Sequence, residues 1–226
     1  MSKKPSTSMH RLPDPLVSSM FGVEPGLPKR ERTRRQLLAA AFAVFSTRGI
    51  AAATMQEIAA AAGMTVGTVY NHFRTKEDIA SQLGVRVAET LSRLIADSQA
   101  SIDEGARRMA IGNRRYLWLA ETSPEWALLL LDLDESTADF SGTLEPFVLA
   151  DLRLGVRQKA FRIASEAVAI DLIRGTISYA MRRIATGNAP PRHAIAATAT
   201  VLRGLGMDFD DALALARAPL PELDAP

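Results

Sequence analysis

The stretch "TMQEIAAAAGMTVGTVYNHFRTKED", residues 54–78, constrains the fold more than any other part of the chain. Thr54 and Glu57 have the spacing of a capping box, in which each side chain satisfies a free backbone N–H of a helix's first turn. Gly63 suits the left-handed conformation that closes a helix. "TKED", Thr75 to Asp78, repeats the start signal before a long amphipathic run. Between these two helices lies "TVGTVYNHF", Thr65 to Phe73. Its β-branched Thr65, Val66, Thr68 and Val69 read locally as a strand, and Gly67 discourages a helix.

The segment nevertheless reads as a helix once its neighbours are counted. Three short helices in about 40 residues, the second and third joined by "GMT", make a helix-turn-helix. Counting from Met55, Ala59 is the fifth residue, Gly63 the ninth and Val69 the fifteenth. A small residue at the fifth lets the helices approach, glycine at the ninth makes the turn, and an apolar fifteenth packs back on the first helix. A recognition helix presses its outer face and N-terminus into the major groove of DNA. Small groups at Thr65, Val66, Gly67 and Thr68 permit that approach. Thr65, Thr68, Tyr70 and Asn71 offer hydrogen bonds, while Val69 and Phe73 hold the other face to the core. Propensity yields because tertiary packing supports the helix, and its free N–H groups favour a phosphate.

Charge points the same way. Residues 1–76 hold 11 Lys/Arg against 4 Asp/Glu, and the remainder holds 16 against 21. A basic first third on an acidic remainder fits contact with a polyanion, although a solvated basic tail has the same composition. With no cysteine, there is no disulfide framework or Cys-based metal site. The first residues lack the apolar core of a signal peptide. The longest apolar run, "LLAAAFAVF", falls far short of the roughly 20 residues of a membrane helix. A soluble, cytoplasmic protein is expected.

Along the chain, residues 1–30 carry prolines, serines and no sustained period, which predicts a flexible arm. From Arg32, Leu37, Leu38, Ala41, Phe42 and Phe45 share one helical face, and Gly49 stops it. After Thr75, Ile79, Leu83, Val87, Leu91 and Leu94 form an inward stripe. Further helices are predicted over about 102–122, from Pro124, over about 143–156 and 165–186, after "NAPPR", and in the acidic stretch from Asp208. The expected fold is all-α: a helix-turn-helix domain over 31–78, a helical domain over 79–218, and a tail over 219–226.

From Arg32 to about Ile79 the sequence resembles the DNA-binding domain of the TetR (tetracycline repressor) family of bacterial transcriptional regulators. The residues that carry the resemblance are "LLAAAFAVFSTRGIAAATMQEIAAAAGMTVGTVYNHFRTKEDI". The resemblance implies a homodimer on a palindromic double-stranded DNA operator and a C-terminal domain that senses a small molecule. It implies Thr54, Tyr70 and Lys76 near phosphates, and Thr65, Val66, Gly67, Thr68, Asn71 and His72 on or beside the base-reading surface. The N-terminal arm is longer than the family usually needs. Lys29, Arg30, Arg32, Arg34 and Arg35 are placed to reach phosphates or the minor groove, as basic arms do; the alternative is an untethered tail.

An enzyme is not expected. The three histidines, His10, His72 and His193, lack metal-ligand spacing, and no nucleophile elbow, P-loop or dinucleotide fingerprint is present. No cofactor or metal is implied. In the C-terminal domain, Asn113 falls on an apolar face, and a buried amide requires a partner. Asn113 with Tyr116, Trp118, Trp126 and Phe147 forms a possible ligand site of unknown specificity, against the alternative of ordinary core. Val168, Leu172, Gly175 and Tyr179, with Ala196, Ala197 and Thr200 on the next helix, form the expected dimer stripe, against intrachain core. The expected function is a repressor released by a ligand. The alternative is an architectural DNA-binding protein without one.

Overall fold

A computed structural model describes residues 11–21, 26–136 and 138–223, and within 135–144 only the backbone. The described residues form eleven helices and no strand. The first is α1 (Asp14–Met20), followed by α2 (Lys29–Arg48), α3 (Met55–Ala62), α4 (Val66–Tyr70) and α5 (Lys76–Ser98). Then come α6 (Gly105–Thr122), α7 (Pro124–Ser136), α8 (Ala138–Arg157), α9 (Glu166–Ala185), α10 (His193–Gly204) and α11 (Phe209–Arg217).

Two apolar clusters organise these helices. One gathers α1–α5 with Ile111 and Leu119 of α6 and Trp126, Leu130 and Leu133 of α7. The other gathers the inner faces of α6–α11. The helix α5 belongs to the first cluster, where its stripe Ile79, Leu83, Val87, Leu91 and Leu94 is buried throughout, while α6 and α7 contribute to both. At Gly84 a Cβ would lie 2.5 Å from Leu133 Cδ1, so the bare backbone lets α7 seat against α5. At Gly105 a Cβ would run into the backbone of Gly155, which holds the start of α6 against the end of α8.

The N-terminal segment departs from the expected arm. Residues 1–10 and 22–25 lie outside the described residues, but α1 is a packed helix with Leu12, Leu16 and Met20 buried. Pro15 sits in its first turn, where proline is preorganised for a helix. Phe21 meets Phe42 of α2, with ring centroids 5.3 Å apart. Ser123 Oγ donates to the Arg11 carbonyl at 2.6 Å, and Arg86 Nε donates to the Met20 carbonyl at 3.0 Å. Prolines and a short length conceal this helix in the sequence, because tertiary contacts rather than periodicity stabilise it. The tail predicted over 219–226 is also held as far as Leu223, which is buried.

Candidate nucleic-acid interface and ligand cavity

The helix-turn-helix forms through local bonds that the sequence announces. Thr54 Oγ1 accepts from Glu57 N at 3.3 Å, and Glu57 Oε2 accepts from Thr54 N at 3.0 Å, completing the capping box. Gly63 takes φ +66°, and Met64 N donates back to Ala59 O at 2.9 Å. Thr65 caps α4: its Oγ1 accepts from Thr68 N at 3.2 Å. Ala59 and Val69 are buried and so is Phe73, fixing the inner side of this five-residue helix.

The outer side faces solvent. Thr65, Gly67 and Asn71 are exposed, as is Tyr70 at 54%, while Val66, Thr68 and His72 are half-buried. Thr54 is exposed at the start of α3. Lys76 stands differently: its Nζ donates to the carbonyls of Ala51 at 2.5 Å and Ala53 at 3.1 Å, tying the loop before α3 to the first turn of α5. The five cations expected in an arm all lie within α2. Lys29, Arg30 and Arg32 are exposed in its first turn, where the helix dipole disfavours positive charge. Arg34 turns inward instead, its guanidinium 5.0 Å from the Phe73 ring centroid and bonded to Gln82. His72 borders a shallow groove with Pro28, Arg30, Glu31 and Arg34.

A cavity of about 160 Å³ lies among α5, α6, α7, α8 and α9. Asn113, Tyr116 and Phe147 line it, as the sequence leads one to expect. Trp118 and Trp126 do not. Trp126 is fully buried against Phe42, with centroids 5.5 Å apart, in the cluster that joins α2 to α7. Trp118 packs on the same cluster, with the Arg115 guanidinium 5.2 Å from its ring centroid. Aromatic character alone does not separate a cavity wall from a helix junction, and both tryptophans serve the junction.

The cavity also contains polar groups that the sequence reading missed. Asp151 accepts from Arg108 Nε at 2.6 Å and from Gln99 Nε2 at 3.2 Å. Burial raises the Asp151 carboxyl above its ordinary range, and the bond and charge of Arg108 and the Gln99 amide oppose that shift. Arg174 donates to Asp134 at 2.7 Å. Tyr116 and Ser92 share a hydrogen bond of 2.8 Å. Burial pushes the Tyr116 phenol up to about 12, with Ser92 opposing and the Asp134 charge adding to the shift. The missed signal was a polar residue on an otherwise apolar helical face, as in "VLADLRL" of α8.

Of the expected dimer stripe, Val168 is 64% and Tyr179 66% exposed, and Gly175, Ala196 and Thr200 are also at the surface. Leu172 is half-buried against Gly204, and Ala197 is buried within its own chain. Ala197 packs in the protomer's second apolar cluster, while Thr200, three residues on, is exposed.

The comparisons agree with this architecture. The family described as "Bacterial regulatory proteins, tetR family" matches residues 37–83. That described as "Tetracyclin repressor-like, C-terminal domain" matches residues 104–218, about half the chain. The repressor KstR2 of Rhodococcus jostii (strain RHA1) is 28% identical over 130 residues, which cover 46% of this chain and 64% of the relative. The regulator AcrR of Shigella flexneri is 34% identical over 70 residues, covering 31% and 33%. Each match thus spans less than two thirds of the relative's length. The crystal structure of RolR in complex with resorcinol superposes with a TM-score of 0.72 at 22% identity, covering 87% of this chain and 98% of that one, a likeness of fold. The chain belongs to the TetR family of DNA-binding transcriptional regulators, and is not an enzyme.

Proposed function

We propose that the protein is a cytoplasmic repressor that binds a palindromic operator as a homodimer and is released by a small molecule. The observation that carries the reading is the pairing of a solvent-facing α4 with a cavity at the far end of α5. Thr65, Val66, Gly67, Thr68, Asn71 and His72 are the proposed base-reading surface, and Thr54, Tyr70 and Lys76 the proposed phosphate contacts. Lys29, Arg30 and Arg32 are added to the phosphate contacts, because a polyanion would offset the poor placement of cations at a helix N-terminus. The reading divides the chain into a DNA-binding part over 31–78 and an effector and dimerisation part over 79–218.

Two such parts side by side match the twofold symmetry of a palindrome. The exposed Val168, Gly175 and Tyr179 of α9, with Ala196 and Thr200 of α10, are the proposed contact between protomers. The effector acts through α5. At 1.5 Å per residue, its 23 residues span about 34 Å. Ser92, Ile95, Ala96 and Gln99 meet the cavity at one end, while Lys76 grips the helix-turn-helix loop at the other. A ligand that favours a shifted α5 turns the two recognition helices out of register with successive major grooves. Its differential affinity for the two arrangements sets the size of the effect. RolR's complex with resorcinol supports a small-molecule effector of this kind.

Selection from a random double-stranded DNA library, at stated salt, tests the reading. Enrichment of one palindrome is expected. Salt-sensitive binding without any enriched sequence, persisting after the protein is unfolded and refolded to strip bound ligand, contradicts it.

A further inference from the structure

The cavity's unmet hydrogen bonds restrict what can fill it. Gln99 is 2% and Asn113 6% exposed, both line the cavity, and each carries an atom without a partner: Gln99 Oε1 and Asn113 Nδ2. A buried polar atom left unpaired is costly, so each favours an occupant with a matching group. The Gln99 amide is oriented by its Nε2 bond to the Asp151 carboxylate, which leaves the carbonyl oxygen as an acceptor. Asn113 Nδ2 is a donor. The occupant must therefore offer both a donor and an acceptor.

Size and charge narrow the class further. A cavity of about 150 Å³ admits benzene, and this one is about 160 Å³. That is room for one substituted ring. The two lining cations are already engaged, Arg108 by Asp151 and Arg174 by Asp134. Glu145 adds a third carboxylate to the wall. An anion would thus enter against two cations and three carboxylates. An ammonium would supply a donor to Gln99 but no acceptor to Asn113. A hydroxyl supplies both roles without charge.

Resting on the proposed effector role of the cavity, we infer that the occupant is an uncharged single-ring compound bearing one or two hydroxyls. Its O–H donates to Gln99 Oε1, a hydroxyl oxygen accepts from Asn113 Nδ2, and the ring lies against Ile95, Met109, Leu130 and Ile173. Asn113 and Gln99 are the residues that determine specificity. The Tyr116–Ser92 pair, neutral at physiological pH, borders the same space.

Isothermal titration of the full chain with phenol, cyclohexanol, toluene and benzoate tests the inference. Phenol and cyclohexanol are expected to bind, toluene roughly tenfold more weakly for want of the hydroxyl, and benzoate not at all. Asn113→Leu should lower phenol affinity by roughly tenfold while leaving toluene binding equal or tighter, which also shows the variant to be folded. Gln99→Met should do the same. Equal binding of toluene and phenol, preference for benzoate, no binding of either alcohol, or indifference of phenol affinity to both substitutions overturns it. The effector role is read separately, from release of the selected operator. Phenol that binds without releasing DNA contradicts that role and leaves the ligand class standing. Release by benzoate or an acyl compound, with phenol silent, contradicts the ligand class alone.

Discussion

Lys76 shows how a single side chain can serve two demands. Its ammonium has three donors, and the Ala51 and Ala53 carbonyls take two of them. Lys76→Ala is expected to lower unfolding stability by about 1 kcal/mol. It should also reduce the slope of log affinity for DNA against log salt by about 0.9, the share of one phosphate contact. Denaturant titration and anisotropy over a salt series measure the two effects, and an unchanged slope removes Lys76 from the phosphate contacts. Asn71 carries a different expectation: Asn71→Ala should redistribute the enriched sequences in a repeated selection rather than weaken all of them evenly. Tyr116 sets a pH limit. Its folded-state pKa, about 12, lies above the ordinary 10.0, so its contribution is complete below pH 10 and is lost as pH rises toward 12. Urea unfolding at pH 9 and pH 11 should show an alkaline loss, on the order of 1–2 kcal/mol, that Tyr116→Phe reduces.

Among the helices, α1 is the element whose role packing alone reveals. Leu16 is fully buried in the cluster that α2, α5 and α7 share. Leu16→Ala should destabilise the protein by roughly 2–5 kcal/mol, read as a lower urea midpoint at unchanged slope. A change under about 0.5 kcal/mol would show α1 to be dispensable. This helix also marks the limit of what the sequence discloses. The capping box at Thr54, the turn at Gly63 and the α5 stripe were legible because each is local, a matter of spacing along the chain. The five-residue α4 was legible only through its neighbours, since its own residues favour a strand. The helix α1 was not legible, because seven residues with prolines at 13 and 15 give no period and its stability comes from Phe42 and Ser123, far away in sequence. The cavity was half legible. Asn113 stood out as an amide on an apolar face, but Gln99, Arg108 and Asp151 meet only after α5, α6 and α8 pack. Trp118 and Trp126 look like cavity residues in the sequence and are junction residues in the fold.

At the scale of the whole molecule, the proposed account needs two protomers. Gly175 faces open space in the protomer, where an added Cβ meets nothing within 4 Å. Gly175→Arg should therefore leave the chain folded and helical by circular dichroism, while sedimentation velocity shows the mass of one 24.4 kDa chain instead of two. Loss of dimer with folding intact would place the contact on α9; a dimer unaffected by the arginine would place it elsewhere. The charge is divided along the chain, with the excess of Lys/Arg in residues 1–76 and the excess of Asp/Glu in the remainder. The measurement that most directly tests the central claim is hydroxyl-radical footprinting of the full chain on its selected duplex. The account predicts two protected segments related by a twofold axis and centred about one helical turn, or a multiple of it, apart. A single protected segment, or uniform protection along the duplex, would contradict it.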